Sequence, residues 1–503
     1  MVARVGTVAF RGMEVLPITV EVHVANGLPA FTIVGLPDKA VAESKERVRA
    51  ALQSSGLSLP AKRITVNLAP ADVLKEGSHF DLPIALALLT ACGVLPQDAT
   101  DNLTVMGELG LDGRLAGVAG VLPAAVDSAA RNTGFVCPAV QGAEARWSGN
   151  GQIIAAGNLL DLIACLSGNA PAPEIQSAPI EEHREFLDLS DIKGQENAKR
   201  VLEIAAAGRH NLLMSGPPGS GKSMLAARLP SIMPPMSAKE ILETSMLHSV
   251  AGLLKEGRLV TQRPFRAPHH SASMPALTGG GQKAKPGEIS LAHNGVLFLD
   301  ELPEFQRATL EALRQPLETG KICVARANIH VEYPASFQLI AAMNPCRCGY
   351  LGMAGQECSR APRCAEEYLS RLSGPLLDRI DLHIDVPAAA PWELAKAARG
   401  EKSETVGARV AAAWQMQAER YDGYGITHNA FASGAIMDET ARVSEKAQAL
   451  LIAAAEKMHL SARGYHRILR VSRTIADLAQ SATIQPEHLT EALSYRRVLY
   501  GRS

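Results

Sequence analysis

The strongest chemical pattern is the run Gly216-Pro217-Pro218-Gly219-Ser220-Gly221-Lys222-Ser223, which has the spacing G-x-x-x-x-G-K-S. Glycines at these places let successive backbone N–H groups curl around a phosphate, and a helix beginning at the lysine adds its N-terminal dipole. Lys222 can then reach the β- and γ-phosphates, while the Ser223 hydroxyl is a Mg²⁺ ligand. An apolar run, 212–214, precedes the motif and a helix-compatible stretch follows it, which is the context the motif needs. The bland reading is a glycine-rich turn, and that context argues against it.

A second segment complements the first. Gly295-Val-Leu-Phe-Leu-Asp300-Glu301 is an apolar strand ending in two carboxylates. Ligands of open α/β sheets bind at the C-terminal strand edge. Asp300 is expected to hold Mg²⁺ through water, and Glu301 to act as general base toward the attacking water. Many strands end in Asp, so this pattern gains its meaning from the phosphate motif. Asn344, at the end of the expected strand 338–343, is placed to orient the same water.

Two arginines extend the expected site. The segment Leu376-Leu-Asp-Arg379-Ile-Asp resembles the one that carries an arginine finger in ring ATPases, with Arg371 as substitute. Arg379 would reach a neighbouring subunit's γ-phosphate and stabilise transition-state charge. Ser461-Ala-Arg463-Gly opens a helix, and Arg463 is expected to touch the γ-phosphate of its own chain. A surface salt bridge is the plainer role for either arginine.

The interval from Lys222 to Asp300 is 78 residues, more than one helix and one strand require. Its excess, 250–290, reads as a mobile basic insert with Gly279-Gly-Gly281 and several prolines. Over 253–287 there are six Lys or Arg against one acid, Glu256, a local charge of +5 before histidines. A polyanion contact is the expectation, against a solvated insertion without a partner. His269 and His270 could be mistaken for metal ligands, but no third ligand sits nearby in sequence.

Cys346, Cys348, Cys358 and Cys364 fall within 19 residues, directly after Asn344. The loop between them holds Gly, Arg, Pro and Ser, and four thiolates so close suit a tetrahedral structural Zn²⁺. Reduced, unligated thiols are the alternative. The other four cysteines, Cys92, Cys137, Cys165 and Cys323, stand singly in apolar settings and read as small buried hydrophobes.

These residues need a scaffold. A chain of 503 residues is long enough for about three domains. At 47% hydrophobic, 20% charged and only 4% aromatic, its cores must rest on Ala, Leu, Ile and Val. A net charge of −1 gives no global basic field, so nucleic-acid binding would need local patches. The N-terminus lacks an apolar export segment, and the longest apolar run, 84–95, is far short of the roughly 20 residues that span a bilayer. A cytoplasmic protein with no membrane role is expected, its cysteines reduced.

Residues 1–167 read as mixed α/β, with strands at 63–68, 103–108 and 151–156 and helices at 40–53 and 82–91. A Pro-rich linker occupies 168–185. A second α/β block, 186–390, alternates apolar strands (211–215, 296–300, 338–343) with helices, the rhythm of a parallel sheet covered on both faces. It would carry both the insert and the four-cysteine loop, 344–364. From 391 to 503 the pattern is all-α, a lid or partner domain.

In order, Val34-Gly-Leu-Pro-Asp38, Phe265-Arg-Ala-Pro-His-His270, Asn294 to Glu301, Ala342-Met-Asn-Pro-Cys346, Gly374 to Asp381 and Arg470 to Asp477 resemble the Mg-chelatase-like AAA+ family, specifically its ComM/YifB branch. The likeness covers essentially the whole chain. It implies an AAA+ P-loop core, a Lon-protease-like N-terminal domain and a helical lid. It further implies a homo-hexameric ring motor that uses ATP and Mg²⁺ on single-stranded or branched DNA, a helicase driving branch migration in natural transformation. Arg347 stands where the family pattern has proline.

Lon-type enzymes carry a serine where this chain has Lys75-Glu-Gly77-Ser78-His79, and a base lysine where it has Leu122. A Ser–Lys dyad needs both partners, so a proteolytically dead domain is expected, used in assembly or nucleic-acid contact. The rival from another class is an AAA+ chaperone that remodels a protein or metal-insertion complex, as magnesium chelatase does.

Overall fold

The computed structural model describes residues 2–176, 187–281, 284–326, 329–351, 358–388 and 399–496. The second half of the linker, Lys283, the middle of the four-cysteine loop and the start of the helical block lie outside these residues.

At the centre lies a five-stranded sheet in the order Phe265–Arg266, Val296–Leu299, Gln338–Met343, Leu212–Ser215, Leu382–Asp385, every pair parallel. Its three middle strands are Leu-, Ile-, Val- and Ala-rich and buried on both faces. Alternation along each strand then feeds two cores. Leu212 and Met214 face one cluster with Val201, Leu225 and Ile468, while Leu213 faces another with Leu297, Leu339 and Leu376. Because all strands are parallel, their C-terminal ends form one edge and their N-terminal ends the other, a distinction on which the site turns.

The N-terminal body has a seven-stranded mixed sheet in the order Ala30–Val34, Arg63–Ala69, Glu14–Ala25, Val2–Arg11, Leu103–Val105, Gly134–Pro138, Ile153–Ala156. The expected strand 103–108 is shorter: Met106 makes a last bond to the Val136 carbonyl and Gly107 leaves the ladder. Gly107 instead exchanges hydrogen bonds with Leu82 and His79. The helix Asp81–Ala91 is apolar all round and buried almost throughout, so it is an internal element rather than a surface one. Its buried Asp81 is held by Arg47 through two hydrogen bonds of 2.6 and 2.9 Å.

This body docks on the central one through polar groups. Glu144 accepts from Ser249 and from the Leu122 backbone, and Trp147 donates to the Gly257 carbonyl at 3.0 Å. Burial raises the Glu144 carboxyl above its usual range despite those bonds.

Five helices follow the central sheet among the described residues: Ser403–Arg420, Gly434–Thr440, Glu445–Lys457, Ala462–Leu478 and Pro486–Ser494. Trp414 and Gln417 donate to the carbonyls of Ala206 and Ala207. Two buried guanidinium groups stack on aromatic rings across the seam, Arg263 on Trp414 at 5.0 Å and Arg209 on Phe431 at 5.8 Å. Such stacks contribute on the order of 0.5–2 kcal/mol each. Among the described residues no helix is long and apolar enough to cross a membrane.

Candidate nucleotide site and its four-cysteine neighbour

The strand Leu212–Ser215 turns at Gly216 into the helix Lys222–Ile232. A Cβ on Gly216 would stand 2.1 Å from the Val386 carbonyl oxygen, so only glycine permits the turn. Gly221, at φ 89°, sits in the left-handed region and starts the helix, which aims its first N–H groups into the loop. Lys222 is buried and folds back on the loop: its Nζ lies 2.8 Å from the Gly216 carbonyl, 2.9 Å from that of Pro217 and 3.4 Å from Asn344 Oδ1. Burial lowers its ammonium below the usual range, and the charges of Asp300 and Glu301 oppose that shift. A polyphosphate in the loop would offer it anionic oxygens in place of neutral carbonyls.

Ser223 Oγ donates to Asp300 Oδ2 at 2.6 Å, so the two oxygens expected to face a Mg²⁺ converge. Asp300 and Glu301 follow the strand Val296–Leu299, and Asn344 follows Gln338–Met343, all at the C-terminal edge. The strand can approach this closely because Gly295 has no side chain; a Cβ there would lie 2.0 Å from the Pro264 carbonyl oxygen. Glu301 is a non-glycine at φ 53°, a left-handed conformation found at functional turns. Its Oε2 lies 3.1 Å from His270 Nδ1.

Arg379 and Arg463 occupy the opposite edge. Arg379 directly precedes the strand Leu382–Asp385, and its carbonyl accepts from the side chain of Asn211 at the N-terminal end of the phosphate-loop strand. Four residues of strand, about 13 Å, separate that end from the loop. Arg379 is held by Glu318 at 2.6 Å, and Arg371 by Glu304 at 2.8 Å. The Arg379 guanidinium holds the Glu318 carboxyl below its usual range, and Arg463 adds to the effect. The helix Ala462–Leu478 crosses this edge, with Thr474 and Asp381 flanking His210 at 2.7 and 3.2 Å and Arg467 bonded to the Asp378 carbonyl. Arg463 therefore stands beside Arg379.

The insert departs from expectation: it is largely built into the core. Phe265–Arg266 is a strand of the central sheet, followed by a short helix, Met274–Thr278, and the pairing of Gly279–Gly280 with Lys285–Pro286. Arg263 is buried and bonded to Glu240 and to the Pro234 and Asn294 carbonyls. Arg266 makes two 2.6 Å bonds to Glu288, and Arg258 pairs with Glu256. Glu240 and Glu288 lie outside 253–287 in sequence but pair with its Arg263 and Arg266, so the local +5 falls to +3. Lys255 and Lys285 remain exposed.

The sulfurs of Cys346, Cys348, Cys358 and Cys364 lie within 4.8 Å of one another. Tetrahedral zinc with four thiolates at about 2.3 Å places sulfurs roughly 3.8 Å apart, so this donor set fits the ion. Burial pushes the Cys346 thiol up. For Cys364 burial also acts upward, but hydrogen bonds from the Cys348 and Arg347 backbone and the Cys358 side chain outweigh it and favour thiolate. The cluster abuts the phosphate loop, since a Cβ on Gly349 would meet the Pro218 ring at 2.7 Å. Of the single cysteines only Cys137 is buried; Cys92 and Cys323 are exposed, against expectation. His269 and His270 join no metal-binding group among the described residues.

Two participants went unmarked in the sequence. Tyr368, on the helix Arg363–Leu369 that carries Cys364, is hydrogen-bonded to the Asn344 backbone and lies in the field of Glu301 and Glu304. For His270 the available signal was the Pro-His-His run that follows the strand Phe265–Arg266.

In the N-terminal body, Ser78 donates to Glu108, His79 is buried with Nε2 2.9 Å from the Val8 carbonyl, and Leu122 is fully buried. Lys75 is buried too, bonded to the Pro70 carbonyl.

Family models described as "Magnesium chelatase, subunit ChlI", "Subunit ChlI of Mg-chelatase" and "Magnesium chelatase, subunit ChlI C-terminal" match residues 188–394, 20–141 and 400–496. The chain is 46% identical to the competence protein ComM of Haemophilus influenzae, over 98% of this chain and 96% of that one. It is 44% identical to the uncharacterized protein YifB of Escherichia coli, over 98% and 97%. The magnesium-chelatase 38 kDa subunit of Rhodobacter capsulatus is 25% identical over 32% of this chain and 51% of its own length. A phosphate loop facing two strand-end acids on a parallel sheet, matched from end to end by these sequences, places the chain in the magnesium-chelatase family of AAA+-like ATPases, in the branch that contains ComM and YifB.

Proposed function

We propose that this protein is an ATP-hydrolysing motor that works as a head-to-tail homo-hexameric ring on DNA, promoting branch migration. The observation that carries the reading is the split of the site. The phosphate loop, Asp300, Glu301 and Asn344 occupy one edge of the sheet, and Arg379 with Arg463 the other. Arginines so placed serve a neighbour's nucleotide, which requires copies arranged head to tail.

In this reading the loop from Gly216 to Ser223 binds the phosphates, and Ser223 and Asp300 hold Mg²⁺. The ion when bound would neutralise phosphate charge. Lys222 leaves its carbonyl partners for the β- and γ-phosphates. Glu301 takes the proton of the attacking water, Asn344 orients that water, and Arg379 assisted by Arg463 stabilises the charge on the neighbour's γ-phosphate.

The four-cysteine cluster takes structural zinc and braces Pro218 through Gly349. Metal analysis is expected to find one zinc per chain. Stripping it, or Cys364→Ser, should lower the unfolding temperature by about 5 °C or more and weaken turnover; zinc-free protein with full activity would reject the site.

With Arg258, Arg263 and Arg266 of the insert engaged by acids, the support for DNA extends to exposed Arg347 and Tyr350 of the cysteine loop and to Arg360 and Arg363, which share Glu367. The competence protein among the relatives agrees with this partner. The N-terminal body, Lon-like in this reading, lacks the dyad because the Ser78 hydroxyl is committed to Glu108 and position 122 is leucine. ATP turnover with and without forked and four-way-junction DNA tests the proposal, with Glu301→Gln as the blank. Junction DNA should raise turnover several-fold, with an apparent affinity that falls steeply between about 50 and 200 mM salt. Turnover indifferent to all DNA would favour a protein-remodelling chaperone.

A further inference from the structure

His270 is half-buried, with Nδ1 3.1 Å from Glu301 Oε2. A carboxylate can only accept, so the imidazole donates through Nδ1–H. Its ring is fixed on two sides, tilted against His269 at 4.1 Å between centroids and edge-on to Phe305 at 6.4 Å. His269 is itself bonded to Ser271 at 2.8 Å. The strand Phe265–Arg266 leads into this turn and is locked at both ends, by buried Arg263 on one side and the Arg266–Glu288 pair on the other. Glu301 sits on a left-handed turn directly after the sheet, with its side chain about half exposed. Left alone, such a carboxylate samples several rotamers, and only some of them face the phosphate loop.

We propose that His270 is the positioning residue of Glu301. By occupying Oε2 it fixes the carboxylate rotamer and leaves Oε1 to receive the water's proton. The assignment rests on Glu301 acting as the general base. Because His270 lies in the turn four residues beyond the strand Phe265–Arg266, the base is tied to the insert through it.

The test uses the full-length protein and compares His270→Ala, His270→Gln, Glu301→Gln and the double variant H270A/E301Q. Turnover is measured by phosphate release, and ATP affinity by titration with a fluorescent ATP analogue. H270A should lower kcat by about 10–100-fold and leave ATP affinity within about twofold of the wild type. H270Q, whose amide N–H can still donate, should recover most of that loss; it also keeps the test open if the alanine variant fails to fold. Adding H270A to E301Q should cost nothing further, because both act through the same carboxylate. A wild-type kcat in H270A, a matching loss of ATP affinity, a glutamine no better than alanine, or a multiplied loss in the double variant each overturns the assignment. If E301Q turns over normally the general-base reading itself fails. If E301Q is dead and H270A is fully active, only the role of His270 fails.

Discussion

Arg379→Ala is expected to reduce ATP turnover by about 10³–10⁵-fold, the range an arginine finger supplies, while leaving ATP binding near its wild-type strength. Binding is spared because Arg379 lies about a strand's length from the loop that grips the phosphates of its own chain. The side chain is mostly buried but its partner Glu318 is exposed, so losing the pair and the bond to the Pro375 carbonyl should cost about 1 kcal/mol of stability, far less than the expected loss of turnover. Mixing is the decisive assay. An R379A subunit beside an intact loop donor disables its neighbour's site, whereas its own site works when the adjacent copy is wild type. Combining R379A with Lys222→Ala subunits should therefore restore some turnover, since each supplies what the other lacks. If R379A alone hydrolyses ATP normally, Arg379 is no finger, and Arg371 has to be tested in its place.

Glu301→Gln should lower turnover by about 10²–10⁴-fold, the usual contribution of a general base, with ATP binding preserved. The amide keeps the size of the carboxylate but cannot take a proton. Asp300 and Ser223 are left in place, so the phosphate and metal ligands remain and the protein should stay loaded with ATP. DNA affinity measured in that trapped state should equal or exceed that of the wild type. An E301Q variant that releases phosphate at the wild-type rate would move the base elsewhere, with Glu304 the next carboxylate further along the chain.

How much of this was legible in the sequence depended on distance along the chain. The loop Gly216 to Ser223 and the strand ending at Asp300 were readable because each is local: a strand, a turn and a helix start within a few residues. The four cysteines were readable for the same reason. The edge against which the helix of Arg463 lies was not legible, because it is decided by tertiary contacts, here His210 with Thr474 and Asp381, residues spread over more than two hundred positions. The basic insert misled because net charge over a window ignores partners outside it, Glu288 by a single residue and Glu240 by more than a dozen. The hairpin of Val2–Arg11 with Glu14–Ala25 went unnamed; its two-residue turn carries one glycine, Gly12, and lacks the Asn-Gly or Asp-Gly signal of tight hairpins.

The helix Ala462–Leu478 touches the sheet at the end where the phosphate-loop strand begins, while its first turn holds Arg463 exposed, on the face that would meet another copy in the proposed ring. In a closed ring that geometry has a handedness. In the proposed ring, nucleotide state at one site would be felt by Arg463 of the adjoining copy, pass down its helix to His210, and arrive at the start of that copy's own phosphate-loop strand. Firing order would then be set by the shape of a single subunit, and hydrolysis would travel around the circle as a one-way wave.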